Sequence, residues 1–452
     1  MYHIIEQMLN GEKRKENEHD ELIYRTSSEL VKTHDISFDP GHPVPSDVKM
    51  ADRVYTAALE LLERVGVYSI DTGRVIKLEK DEIISGIQNT RSSYMIGNGI
   101  DKTDVFFREL LDDRKPVIMG GPCGTPISVD SYIPVHRSYA KLNCIDIIAP
   151  ATIYETFDPH LMKTPLSLYT AHTAVTLVKE ACALEGRPDM GFTGPPSISD
   201  LKAAMAITHP RFMREWDVQE IYQQLDLKTN FDAITKAVHY RSIGCVYLCD
   251  QGFILGGRTT DRPEQMAIEV VAEALKARLI HQGHMYFKQV DDLRTGAGST
   301  LEAMWASFIG SMALTRNTRY IHGTDINNSA GPCTAMMMYE TAAQTIGNVT
   351  CGTDILAGPM PNEAHVIDHA GGLDAQLMAE VAELATSLSP EDANFLCLEL
   401  FKLYENKLKR PDYGMPFGEC YNPKTLEPSM EYLEKYRRVL QDIYELVGMG
   451  SE

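Results

Sequence analysis

From about residue 116 onward the chain repeats one pattern: a short apolar run ending in glycine, proline or a polar residue, then a stretch with helical spacing. The runs are PVIMGGP, CIDIIAP, MGFTGPP, CVYLCDQG, MYFKQVDD and RYIHGTDIN. Between them lie helical patterns such as SLYTAHTAVTLVKEACALEG, RPEQMAIEVVAEALKARLIHQG, STLEAMWASFIGSMALTR and PCTAMMMYETAAQTIG. Alternation of this kind specifies a parallel sheet with helices outside it, because a helix is needed to carry the chain back between parallel strands. Six or more strands over roughly 240 residues predict an α/β fold closed as a (β/α)8 TIM barrel rather than an open doubly wound sheet. No G-x-G-x-x-G turn opens a helix, which weakens the dinucleotide-binding alternative.

Three regions follow from the change in pattern. Residues 1–90 form an N-terminal helical and hairpin elaboration, 91–371 the TIM barrel, and 372–452 a C-terminal helical segment packed on the barrel or on a neighbouring subunit. Within the first region, 1–46 reads as an irregular polar leader, and SDVKMADRVYTAALELLERVG (46–66) as an amphipathic helix capped by Ser46. VYSIDTGRVIKLEKDEI alternates around Asp71-Thr72-Gly73, which predicts a small hairpin outside the main core. The N-terminus becomes charged after nine residues, too soon for a signal peptide, and no apolar run reaches membrane-spanning length, so a cytoplasmic location is expected.

The formal net charge is -20. Nucleic acid and an anionic membrane surface would both be repelled by it, whereas a cationic substrate or a partner with a basic patch would be attracted. The nine cysteines are scattered, as expected of reduced thiols. Cys245 and Cys249 share one face of CVYLC, but a zinc site needs two more ligands at close spacing and no metal centre is expected.

In a barrel, reactive groups come from the carboxyl ends of strands and the loops beyond them. That rule nominates Cys123, Thr193, Asp250, Gln251, Asp325 and Asn327, although polar residues at strand ends also cap helices and fasten loops. Asp250 stands out because it follows a nearly apolar strand, where an unpaired charge is costly and calls for a partner or a cationic ligand. Asp325 ends another strand, and two carboxylates in one apolar mouth suit an ammonium ligand or a shared proton. Glu220 lies in WDVQEIYQQL, read as a helix, where an exposed glutamate is the ordinary reading. The loops GGPCGTP (120–126) and AGPCTAM (330–336) both carry Gly-Pro-Cys, with Cys123 and Cys333 read as structural thiols for want of a neighbouring base. Met336, Met337 and Met338 open a helix and are expected to fill core gaps.

Seven segments in order carry a resemblance over most of the chain: GVYSIDTGRVIKLEKDEI, GGPCGTPIS with IPVHRSYA, CALEGRPDMGFTGPP, FDAITKAVHY, DQGFILGG, AGPCTAM and GLDAQLMAEVAELA. Together they resemble the monomethylamine corrinoid methyltransferase family. The resemblance implies a (β/α)8 barrel, a homo-oligomer (a hexamer in the family), no tightly bound cofactor, and a cognate corrinoid protein docking at the barrel mouth. It also implies that Thr193 stands at the family's pyrrolysine position, with Asp325 and Asn327 where the family has glutamine and tyrosine. Glu220 and Asp250 would keep acidic character, Asp250 in place of a glutamate. Threonine has no electrophilic ring to trap an amine. The expected function is therefore transfer of a methyl group from an N-methylated, cationic donor to cobalt, with Asp250, Glu220 and Asp325 catalytic and with Thr193, Gln251, Asn327 and Cys123 lining the substrate. Two other readings stay open. One is a metal-dependent barrel hydrolase using Cys245, Cys249 or loop histidines, and the other a non-catalytic binder of a methylated cation.

Overall fold

A computed structural model describes residues 1–156 and 164–450. Seven strands make one all-parallel sheet: β1 (Val117–Gly120), β2 (Ile147–Ile148), β3 (Val218–Tyr222), β4 (Val246–Leu255), β5 (Met285–Asp292), β6 (His322–Asn327) and β7 (Ile355–Met360). They stand side by side in chain order from β3 to β7, and β7 returns to pair with β1, which pairs with β2. The gap between β2 and β3 is bridged by two residues, Phe192 pairing with Ile148 and Thr193 with Val218, both parallel. The segment MGFTGPP thus supplies the eighth stave as two bridges rather than a full strand, because Pro195 and Pro196 have no N–H to extend the ladder. The ring closes as the expected barrel.

β3, β5 and β6 feed helices whose starts are capped by a side chain. Asn230 accepts from Ala233 N (2.8 Å), Thr300 from Ala303 N (3.3 Å) and Thr334 from Met337 N (3.2 Å), satisfying donors at the first turns of helices Phe231–Ile243, Leu301–Asn317 and Ala335–Thr350. Met336, Met337 and Met338 are buried in the apolar layer between barrel and helices.

Side chains alternate in and out along each strand. The inward residues nearest the amino ends are apolar: Val117, Val218, Leu248, Met285, Phe287 and Ile355 form one interior cluster. A hairpin of Ser93–Ile96 and Thr103–Phe106 plugs this end of the barrel, adding Tyr94, Ile96 and Val105 to the cluster. The next inward layer is polar and holds the candidate site.

Four local expectations are corrected. Residues 1–46 are not an irregular leader: helices Tyr2–Asn10 and Glu16–Thr33 bury Met8, Ile23 and Leu30. The polar faces of these helices masked their narrow apolar stripes. Asp47, not Ser46, caps helix Val48–Val65 by accepting from Lys49 N (2.9 Å). The hairpin Val67–Ser69 with Arg74–Ile76 is not peripheral, since Glu12–Lys13 and Lys228–Thr229 extend it to four strands and Val67 and Ile76 are fully buried. WDVQEIYQQL is a strand, β3, not a helix; its ladder partners on both sides override the local helical spacing.

The plugged end is fastened by Asp354, which leads into β7. Its carboxylate accepts from Arg108 N (2.5 Å) and His322 N (2.8 Å), and Arg108 in turn donates to Thr353 O (2.8 Å) and Arg114 O (2.8 Å). All three of Arg108, His322 and Asp354 are buried. Asp354→Ala strands two buried N–H groups, so we expect a loss of about 2–5 kcal/mol, read as a lowered thermal midpoint. A change below about 1 kcal/mol would show that the hairpin holds without this clamp.

Candidate active site

The polar layer follows from strand register. On β3, Val218, Glu220 and Tyr222 share the inward face; on β4, Leu248 and Asp250 do; on β5, Phe287 and Gln289; and on β6, Asp325. One step above the apolar cluster, three carboxyl groups therefore converge on one cavity of about 190 Å3. Thr193, Cys123, Tyr222, Gln289 and Met360 complete much of its wall.

None of Glu220, Asp250 and Asp325 forms an ion pair with Lys, Arg or His among the described residues. Lys288 is buried one residue from Phe287 but faces the other way, its Nζ 2.7 Å from Ser311 Oγ. Burial pushes the Glu220 carboxyl up to about 8, against hydrogen bonds with Tyr222 and Thr193 that favour its ionised form, and the nearby Asp250 charge adds to the rise. Burial lifts Asp250 to about 6, offset by a backbone N–H at Gln251. Asp325 is raised well above the ordinary carboxylate range by burial first, then by Asp250, Glu220 and Asp291. Glu220 therefore retains its proton at neutral pH while no cation lies beside it, and the charges of Asp250 and Glu220 push Asp325 upward in turn. The same surroundings raise the Cys123 thiol, through burial and then Asp325, Glu220 and Asp250, so it is no activated nucleophile.

Not every residue nominated from sequence lines the cavity. Gln251 follows Asp250, so it points to the opposite face of β4, where its Nε2 donates to Gly252 O (3.0 Å). Asn327, beyond a register shift after Asp325, does not line the cavity either; its Nδ2 donates to Asp291 Oδ1 (2.8 Å) and Gly296 O (3.3 Å). Asp291 also accepts from Gln289 Nε2 (2.5 Å), so Asn327 reaches the cavity only through Asp291 and Gln289. Tyr222, Gln289 and Met360 were missed. Tyr222 would have followed from reading its segment as a strand, two residues beyond Glu220, and Gln289 from alternation in MYFKQVDD. Cys333 sits elsewhere, with Lys435 Nζ 2.9 Å from its carbonyl oxygen. Among the described residues no group of three or more His, Cys, Asp or Glu is placed to hold a metal ion. None of the described helices is long and apolar enough to cross a membrane.

A family model described as monomethylamine methyltransferase MtmB matches residues 1–449. The chain belongs to the MtmB family. Relatives named monomethylamine methyltransferase MtmB1 from Methanosarcina barkeri and Methanosarcina acetivorans are each 30% identical over 447 residues, covering 98% of this chain and 97% of theirs. The crystal structure of the Methanosarcina barkeri monomethylamine methyltransferase superposes with a TM-score of 0.94 at 30% identity, over 98% of this chain and 97% of that one. A structure titled as the hydroxylamine MtmB complex matches equally, at 0.94 and 29% identity. Family membership confirms the class of enzyme expected from the sequence, a corrinoid-dependent methyltransferase, and sets aside the hydrolase reading.

A carboxyl whose folded pKa lies above its unfolded value stabilises the fold fully below the unfolded value and loses that contribution as pH rises through the folded one. For Glu220 the window runs from 4.5 to about 8. Glu220→Gln should therefore gain thermal stability relative to the parent as pH rises from about 5 to about 9, and an unchanged difference across that range would mean that Glu220 is not held protonated.

Proposed function

We propose that this enzyme moves a methyl group from a cationic N-methylated donor, a quaternary ammonium in the simplest case, to the cobalt of a cognate corrinoid protein. The observation that carries the reading is the set of three carboxyls, Glu220 buried and Asp250 and Asp325 half-buried, that face one cavity with no ion-pair partner among the described residues. Two charges in such a cavity repel strongly unless a proton or a cation intervenes, and a permanent cation is the ligand that lets them ionise. Tyr222 and Phe287 add aromatic surface to the wall, which also favours an alkylated ammonium.

The partner's reduced cobalt supplies the two-electron nucleophile that accepts the methyl carbon. The carbon–nitrogen bond breaks with its electron pair going to nitrogen, so a quaternary donor departs as a neutral amine without needing a proton. Asp250 and Asp325 hold the positive nitrogen, and this hold weakens as the nitrogen becomes neutral. Glu220, fastened by Tyr222 and Thr193 and raised to about 8, holds a proton at neutral pH that it could give to a tertiary or secondary amine donor. Thr193 takes the place at which the family's pyrrolysine would capture the amine covalently, so orientation here rests on charge and shape. The corrinoid protein docks at the open carboxyl end of the barrel in this reading, and the chain works as a homo-oligomer. A binder without turnover is the second reading; it shares the cavity and differs only in lacking transfer.

The test mixes the purified protein, its reduced corrinoid protein and a panel of methylated amines, reading cobalt methylation by absorbance. Quaternary donors should support it and monomethylamine should not; silence with every donor would sink the proposal. Asp250→Asn should cut turnover by about a hundredfold while leaving the thermal midpoint intact. Binding of the cation should release about one proton near neutral pH, measured by calorimetry in buffers of different ionisation enthalpy, because the cation lowers the carboxyl pKa values.

A further inference from the structure

At the opposite, amino-terminal end of the barrel lies a second and larger recess, of about 660 Å3. Arg91, Arg241 and Arg278 open onto it, and none of the three forms an ion pair among the described residues. That is unusual in a chain with a net charge of -20, where acidic partners outnumber basic ones. The nearest acidic side chain in its wall is the exposed Glu82 at the rim.

The recess is built, not incidental. Tyr94, from the plugging hairpin, and His284, just before β5, form its floor with ring centroids 5.1 Å apart. The Arg91 guanidinium stands 5.8 Å over the Tyr94 ring. His284 Nδ1 accepts from Tyr247 N (3.1 Å), and burial, then the charges of Arg278, Arg91 and Arg241, press the imidazole to about 4, which keeps it neutral. Arg278 is carried on a π-helical turn, Ala277–His281, a geometry that recurs at functional sites. Its Nη2 donates to Asn89 O (3.1 Å), whereas its Nε is buried with no partner. Gln282, which follows the turn, adopts φ 58, and its Oε1 is buried and unpartnered too. Backbone held in this region by a residue other than glycine is a local cost that the surroundings must impose.

We propose that this recess binds a small phosphorylated molecule carrying at least two negative charges. Guanidinium groups match phosphate oxygens with paired N–H donors, and three of them neutralise a diphosphate without help from a metal. The volume lies in the range of sites for nucleotide-sized ligands, and the Tyr94 ring offers a stacking face for a base. The site is separated from the carboxyl cavity by the apolar cluster of the barrel interior, so the inference is independent of the methyl donor.

The full chain is titrated calorimetrically with inorganic pyrophosphate and, separately, with ADP, at fixed ionic strength. Saturable binding of at least one is expected, with ADP the tighter if the ring takes part and equal if only the phosphates are read. Arg278→Gln and the exposed Arg241→Gln should each weaken it by roughly tenfold. Cys245 lines the recess, so in the unaltered protein its alkylation by N-ethylmaleimide should slow several-fold when pyrophosphate is present, while Cys144, outside the recess, serves as the reference. The proposal is overturned if neither ligand saturates, if both variants bind as the parent does, or if Cys245 is labelled at the same rate. It is also overturned if Arg241→Gln changes the subunit number by light scattering, which would show that carboxylates of a second copy fill the recess.

Discussion

Three carboxyl groups gathered in one cavity, Glu220 buried and Asp250 and Asp325 half-buried, are the feature on which the proposed chemistry rests. Their closeness follows from closure of the ring: only a closed parallel barrel points residues from β3, β4 and β6 at the same axis. Burial raises each pKa, mutual repulsion raises Asp325 further, and Lys236 and Lys288 only partly offset this from a distance, with no ion pair among the described residues. In the proposed reading the free cavity holds a proton on Glu220, and a positive ligand exchanges with it. Selectivity for a methylated cation would then come from the same desolvation that makes the empty site costly.

The weakest stave of the ring sits where the reaction would take place. Between β2 and β3 only Phe192 and Thr193 bridge the gap, and Gly194-Pro195-Pro196 then leads the chain off the ladder. Thr193 is consequently held by backbone on both sides, its N–H donating to Ile148 O (2.9 Å), with its hydroxyl committed to Glu220. In the proposed reading it positions an acid rather than presenting a free nucleophile. At the other end, the hairpin and the Asp354–Arg108 clamp close the barrel, which leaves the carboxyl end as the open face.

The architecture was legible because it is a repeating pattern. Six strand segments and four of the helices that follow them are evident from apolar runs and helical spacing, since burial on both faces of a parallel strand leaves a continuous apolar signature. β7, in DILAGPM, was overlooked because Gly358-Pro359 makes its end resemble a turn. β3 was misread because five residues can satisfy helical and extended spacing alike, and only hydrogen bonding to β4 and to Thr193 decides between them. That one misreading hid the burial of Glu220 and removed Tyr222 from consideration altogether.

What the sequence determined by itself is the alternation of strand and helix, the acidic balance, the family, and the identities of Thr193, Asp250 and Asp325 at strand ends. Strand-end position, however, does not say which face of the ladder a side chain occupies. Asp250 and Gln251 are neighbours in sequence with opposite surroundings, and a one-residue difference in register separates a cavity wall from a packed exterior. The meeting of the three acids, the indirect role of Asn327 through Asp291, and the gathering of Arg91, Arg241 and Arg278 at the far end were decided by tertiary structure alone. Each joins residues tens to hundreds of positions apart, and no local pattern encodes a distance across a closed barrel.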